Sequence, residues 1–129
     1  MQYKIENEQG QILMGSLVFG RIVAEVVNQF KGKVWITNSR GKIARTVQKA
    51  GKSDAIKNIE VIFGKEGLDI RVFITLLFGT SIGNTTNELI SLIRATIKEQ
   101  TSIEVNSVAI VVTGMLPIKG KVKTKNIKK

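Results

Sequence analysis

Residues 68–90 read LDIRVFITLLFGTSIGNTTNELI, and the way this stretch divides decides the fold. Leu68, Ile70, Val72, Ile74 and Leu76 alternate with Asp69, Arg71, Phe73, Thr75 and Leu77. Successive side chains of a strand point to opposite faces, so one face is wholly apolar and the other begins charged and turns apolar. That pattern suits a sheet covered by helices on one side. After Phe78 come Gly79 and Gly83 and then a polar-headed helical pattern. Strand, glycine turn, helix is also the layout in which backbone N–H groups hold phosphate. A dinucleotide fingerprint wants G-x-G-x-x-G, however, and here two glycines lie four apart with no third in place. Gly79 is therefore read as the end of the strand and Ser81 or Asn84 as the helix cap. Gly79, Ser81, Gly83 and Asn84 together form a structural turn and cap, not a site.

Working outward, Ile59 to Phe63 is a second strand, joined to the first through Gly64-Lys65-Glu66-Gly67 as a hairpin. Downstream, a helix from about Asn84 to Glu99 is expected to bury Leu89, Ile90, Ile93 and Ile97, with Leu92 on its flank. Val105 to Val112 reads as the next strand. Toward the N-terminus, Gln11 to Met14 makes a short strand. Phe19, Ile22, Val23, Val26, Val27 and Phe30 then fall on one face of a helix, with Ser16 as its expected N-cap and Gly32 as its stop. Val34 to Thr37 is a short β-branched and aromatic strand. Ile43 and Val47 permit a short helix from about Lys42 to Ala50, and a loop is the equal alternative. The order is β-α-β-(basic loop)-β-β-α-β. This is an α+β fold with a small mixed or antiparallel sheet and two helices on one face. A single domain is expected over residues 1–114, with a basic loop at about 38–57 and a lysine-rich, disordered tail over 115–129.

Composition narrows function by subtraction. The 129 residues include no histidine and no cysteine, so the commonest general base, the usual zinc ligands, thiolates and disulfides are all missing. No apolar run approaches the ~20 residues that span a bilayer. The first ten residues lack the basic-then-apolar order of a secretory signal, and a cytosolic chain is expected. No cofactor, metal or small-molecule substrate is expected, and the chain is read as a non-enzyme.

The net charge of +10 is unevenly placed. Lys31 to Lys57 carries +7, Lys119 to Lys129 carries +6, and the remainder carries −3. The candidate anionic-surface contacts are therefore Arg40, Lys42, Arg45, Lys49 and Lys52 in the first segment. In the second they are Lys119, Lys121, Lys123, Lys125, Lys128 and Lys129. Such lysines attract anionic lipid, at about 1 kcal/mol each when within a Debye length. They would equally bind nucleic-acid phosphates without sequence preference, or simply keep a small domain soluble.

Other motifs fail on spacing or placement. Gly51-Lys52-Ser53 resembles the end of a P-loop, but the position for its first glycine is Thr46. Gly64-Lys65-Glu66-Gly67 matches the G-x-x-G of a nucleic-acid-clamping loop, yet it joins two strands and carries an acid. Asp69 and Glu60 on the hairpin are read as solvated, or paired with Arg71 or Lys57. Trp35, Tyr3 and five phenylalanines are the whole aromatic supply; most sit in apolar runs and are assigned to packing.

Taken together, these segments resemble the alkaline shock protein 23 family of bacterial envelope stress response proteins. Gly10-Gln11-Ile12 with the Val18, Ile22, Val26 helix is similar to the family's start, and Gly32 and Val34 to its next short element. Ile59 to Gly114 carries the stronger half: the hairpin, IRVFITLLFG, the turn Thr80-Ser81-Ile82, the helix, Thr101, Ile103 and Val105, and VNSVAIVVTG. Phe78 stands where the family often has tyrosine before the glycine. The resemblance implies a small α+β domain without established catalytic residues, in a cytoplasmic protein working at the inner face of the membrane. It also implies self-association and a protein partner anchored in the membrane. The expectation is thus a non-enzymatic envelope-homeostasis adaptor or scaffold, with a basic nucleic-acid-binding or ribosome-associated module as the alternative.

Overall fold

The longest buried strand organises the molecule. The computed structural model describes residues 2–7, 9–43 and 54–117. Its elements in order are β1 (Gln2–Asn7), β2 (Gly10–Gly15), α1 (Ser16–Asn28), β3 (Val34–Thr37), α2 (Asp54–Asn58), β4 (Glu60–Gly64), β5 (Gly67–Leu77), α3 (Ile82–Thr101) and β6 (Val105–Leu116). β4 lies antiparallel to the first half of β5, with Glu60 opposite Arg71 and Gly64 opposite Gly67. β3 lies antiparallel to the second half, with Val34 opposite Leu76 and Thr37 opposite Phe73. β6 runs parallel to β5 along its whole length, from Leu68 opposite Val105 to Leu77 opposite Leu116. A strand has two edges, so β3 and β4 lie end to end on one edge of β5 and β6 fills the other. The parallel pair requires a crossover, and α3 supplies it. The α+β class and the mixed sheet thus agree with the sequence reading.

The alternation in β5 sets the layers. Leu68, Ile70, Val72, Ile74 and Leu76 are buried, and against them pack Phe19, Ile22, Val23, Val26 and Val27 of α1 and Leu89, Ile93 and Ile97 of α3. Each fully buried aliphatic side chain stabilises the fold by about 1.5–3 kcal/mol. Phe19 and Phe63 meet edge to face, with ring centroids 6.1 Å apart. On α3 the buried row is Thr85, Leu89, Ile93 and Ile97, at a strict four-residue spacing. Ile90, expected inside, is only half-buried, and Leu92 is the flanking residue that touches the core.

Several details depart from the sequence reading. Ser16 is the first residue of α1, not its cap; β2 runs straight into the helix, Gly15 takes the cap position, and no side chain bonds there. Gly32 does turn the chain after α1, at φ +90°. An additional strand, β1, pairs with β2 as a separate two-stranded sheet. Tyr3, Lys4, Ile5 and Glu6 do alternate apolar and polar, a strand signal too short to stand out in the sequence. A five-residue helix, α2, occupies part of the expected basic loop. It packs so closely on α1 that a Cβ built at Gly20 would lie 3.1 Å from Ile56 Cγ2. Ile43 forms a β-bridge with Thr37, so it does not enter the helix expected from Lys42, and the rest of that helix falls outside the described residues. β6 continues through Leu116, taking in Met115 and Leu116, which the sequence had assigned to the tail.

Candidate functional site

The turn after β5 was the first candidate, as a phosphate cradle. Gly79 sits at φ +94°, a conformation that other residues reach only with strain. Ser81 is the N-cap of α3, and its hydroxyl accepts the Asn84 backbone N–H at 3.3 Å. The Thr86 hydroxyl turns back to donate to the Ile82 carbonyl at 2.8 Å. Gly83 and Asn84 form the first turn of the helix, which holds no charged side chain. The geometry is that of a reversal closed by a cap. Beside it, Phe78 is 61% exposed, so this aromatic does not join the core.

The sheet face turned away from the helices is a second candidate. It carries Trp35 and Thr37 of β3, Asp69, Arg71, Phe73, Thr75 and Leu77 of β5, Ile62 of β4, and Ser107, Ala109 and Val111 of β6. Ile62 and Val111 are exposed, while Trp35, Phe73 and Leu77 are half-buried. The segment 38–43 comes over this face, where Gly41 meets Thr113. There the Asn38 side-chain oxygen accepts the N–H groups of Arg40 and Lys42 at 2.9 and 3.0 Å. An asparagine oxygen closing a turn in this way is a familiar local device. Gly41 comes to rest against Thr113, 3.6 Å from its Cβ when a Cβ is built on the glycine. Beneath the turn, Thr37 and Thr75 are buried, and the Thr37 and Thr113 hydroxyls lie 3.1 Å apart. Sequence reading missed this hydroxyl cluster, because a threonine in a strand gives no sign of whether its face is covered.

The turn displays Arg40 and Lys42 at the surface. Arg45, Lys49, Lys52 and the six tail lysines, from Lys119 to Lys129, lie outside the described residues. The two hairpin carboxylates are parted. Glu60 pairs with Arg71 at 3.2 Å, and Asp69 accepts the Asn106 amide at 2.9 Å and the Ser107 hydroxyl at 2.6 Å. Those two donors, the hydroxyl first, hold the Asp69 carboxyl below its ordinary pKa. The Lys98 ammonium does the same for Glu104. Both acids tie elements together, Asp69 joining β5 to β6 and Glu104 joining the end of α3 to the start of β6. Among the described residues no three acidic side chains converge where a metal could be held.

Residues 4–117 match a single family model, described as having a cell envelope-related function. The chain belongs to the alkaline shock protein 23 family. The matched span begins inside β1 and ends just past β6, so all three described helices and all six strands fall within it or at its margin. The residues from 118 onward lie beyond it. No curated protein and no solved structure matches the chain. Among the described residues, no helix is long and apolar enough to cross a membrane.

Proposed function

We propose that this family member is a non-enzymatic cell-envelope homeostasis protein, a small self-associating adaptor at the cytoplasmic face of the membrane. The observation that carries the reading is the one-sided architecture. Two helices cover one face of the sheet, and the other presents Trp35, Phe73, Ile62 and Val111 around a turn that displays Arg40 and Lys42. Apolar groups beside cations make a surface for docking rather than for chemistry. The basic segments add reversible attraction to anionic lipid, since lysines without an acyl chain or apolar anchor hold weakly. A protein partner anchored in the membrane would supply lasting attachment.

The test is co-sedimentation of the full chain with anionic and neutral vesicles across a salt series, with RNA as competitor. Binding to anionic vesicles alone, weakening with salt and kept in the presence of RNA, supports the lipid part. Equal binding to neutral vesicles, or none to either, contradicts it. Preferential capture by RNA would favour the nucleic-acid alternative. Sedimentation velocity over a concentration series tests self-association separately.

A further inference from the structure

Among the described residues, β6 is the one long strand of the main sheet with an edge left open. β5 is paired on both sides, whereas among the described residues β6 pairs with β5 alone. An open edge presents a row of unpaired N–H and C=O groups, and soluble proteins usually blunt it by shortness, charge, proline or a covering element. β6 uses few of these devices. It is twelve residues long, VNSVAIVVTGML, without one charged side chain, and the proline follows it at Pro117. Arg94 of α3 covers only its beginning, donating to the Val105 carbonyl at 2.7 Å and the Asn106 carbonyl at 3.4 Å. The sheet register is uninterrupted from Ser107 to Val112, between irregularities at either end.

Burial gives a second, independent sign. On the helix-covered face, Ile70, Val72 and Ile74 of β5 are buried, yet their β6 neighbours Val108, Ile110 and Val112 are only half-buried. On the other face Val111 is 37% exposed. The apolar layer therefore runs out at β6 before the apolar side chains do. A further strand on this edge would take up both the backbone groups and that surface.

We propose that the occupant is β6 of a second copy, paired antiparallel about a two-fold axis near Val111. This rests on the self-association reading above and names the surface responsible. A two-fold axis sets the middle of the strand against itself, so any charge there would face its own copy. A strand without charge over its whole length meets that condition, and a strand selected to remain an edge would not need to. The product is one continuous sheet through both copies, with all helices on the same side of each half-sheet. The faces turned away from the helices, with Arg40 and Lys42, would then meet a partner or a surface.

The experiment uses the full chain, which has no native cysteine. Val111→Cys and Ala109→Cys are oxidised at low concentration beside a control, Lys65→Cys, in the β4–β5 turn. Val111→Lys is followed by sedimentation velocity, with circular dichroism to verify its fold. The proposal expects covalent dimers from Val111→Cys, which meets its own copy at the axis, and none from the control or from Ala109→Cys, which would face Thr113 of the second copy. It also expects Val111→Lys to shift the monomer–dimer midpoint upward by about tenfold or more, with the fold intact. If the unaltered chain and Val111→Lys associate equally and Val111→Cys stays unlinked, this surface is wrong while self-association stands. If the unaltered chain is monomeric at every concentration, both fall. Should it dimerise only after removal of residues 118–129, the chain's own end occupies the edge and the proposal is overturned. If Val111→Lys does not fold, the contrast between Val111→Cys and Ala109→Cys decides alone.

Discussion

β5 and β6 are parallel neighbours of similar length and composition, yet they lead different lives. β5 has partners on both edges, and its five inward residues are all buried. Among the described residues β6 has one partner, and beyond the buried Val105 its inward Val108, Ile110 and Val112 are half-buried. Position in the sheet, not sequence, makes one strand the core and the other a margin. The difference teaches that hydrophobic pattern states which residues want cover, while topology decides which of them receive it within a single copy.

Truncation should separate the two strands most sharply. Ile74→Ala in β5 is expected to lose about 2–5 kcal/mol, because it leaves a cavity among side chains held on every side. Ile110→Ala in β6, at the same face, is expected to lose about half as much or less when measured on the monomer. Urea unfolding of both variants at one low concentration checks the ratio, and equal losses would erase the distinction.

The link between the strands is weaker than either. Ser81→Ala removes the cap that starts α3 and should cost about 1 kcal/mol, with Ser81→Asp retaining most of it. Gly79→Ala strains a left-handed turn and should lose a similar amount, about 1 kcal/mol. Thermal unfolding resolves both, and an unchanged midpoint for Ser81→Ala would show that β5–β6 pairing alone positions the helix.

The smallest effect concerns acid. Asp69 bonds to Asn106 and Ser107 at the start of β6, and its pKa in the folded chain is depressed. A depressed carboxyl contributes stability that is fully present above its unfolded value, near about 3.9, and is lost as pH falls through the lower folded value. Asp69→Asn should flatten the stability profile in that acid window, losing the carboxylate's small contribution at neutral pH and leaving the acid end unchanged. A profile identical to that of the parent chain would mean the exposed carboxylate contributes nothing to holding β6.

Much of the fold was legible in residues 59–101, where period-2 and helical spacing are clear and the connections are short. β1 was missed because its alternation of Tyr3, Lys4, Ile5 and Glu6 is only four residues long, and α2 because five residues give no periodicity. The sharing of one β5 edge by β3 and β4 was out of reach, since pairing between distant strands leaves no local mark. Ser16 failed as a cap because strand and helix abut, leaving no residue between them. The turn at Gly79 and Ser81 was legible because its requirements are local, a positive φ and one hydroxyl. Of the basic residues, charge was legible and placement was not. Only the Asn38 turn, made by side-chain to backbone bonds, shows how Arg40 and Lys42 are displayed.

Amide hydrogen exchange at protein concentrations on either side of the association midpoint tests the contrast between β5 and β6 most directly. The account predicts slow, concentration-independent exchange for β5. For β6, it predicts that amides facing the open edge between Ser107 and Leu116 become slower as concentration rises. Exchange in β6 that is the same at every concentration, or new protection that arises only in the β1–β2 hairpin, would contradict it.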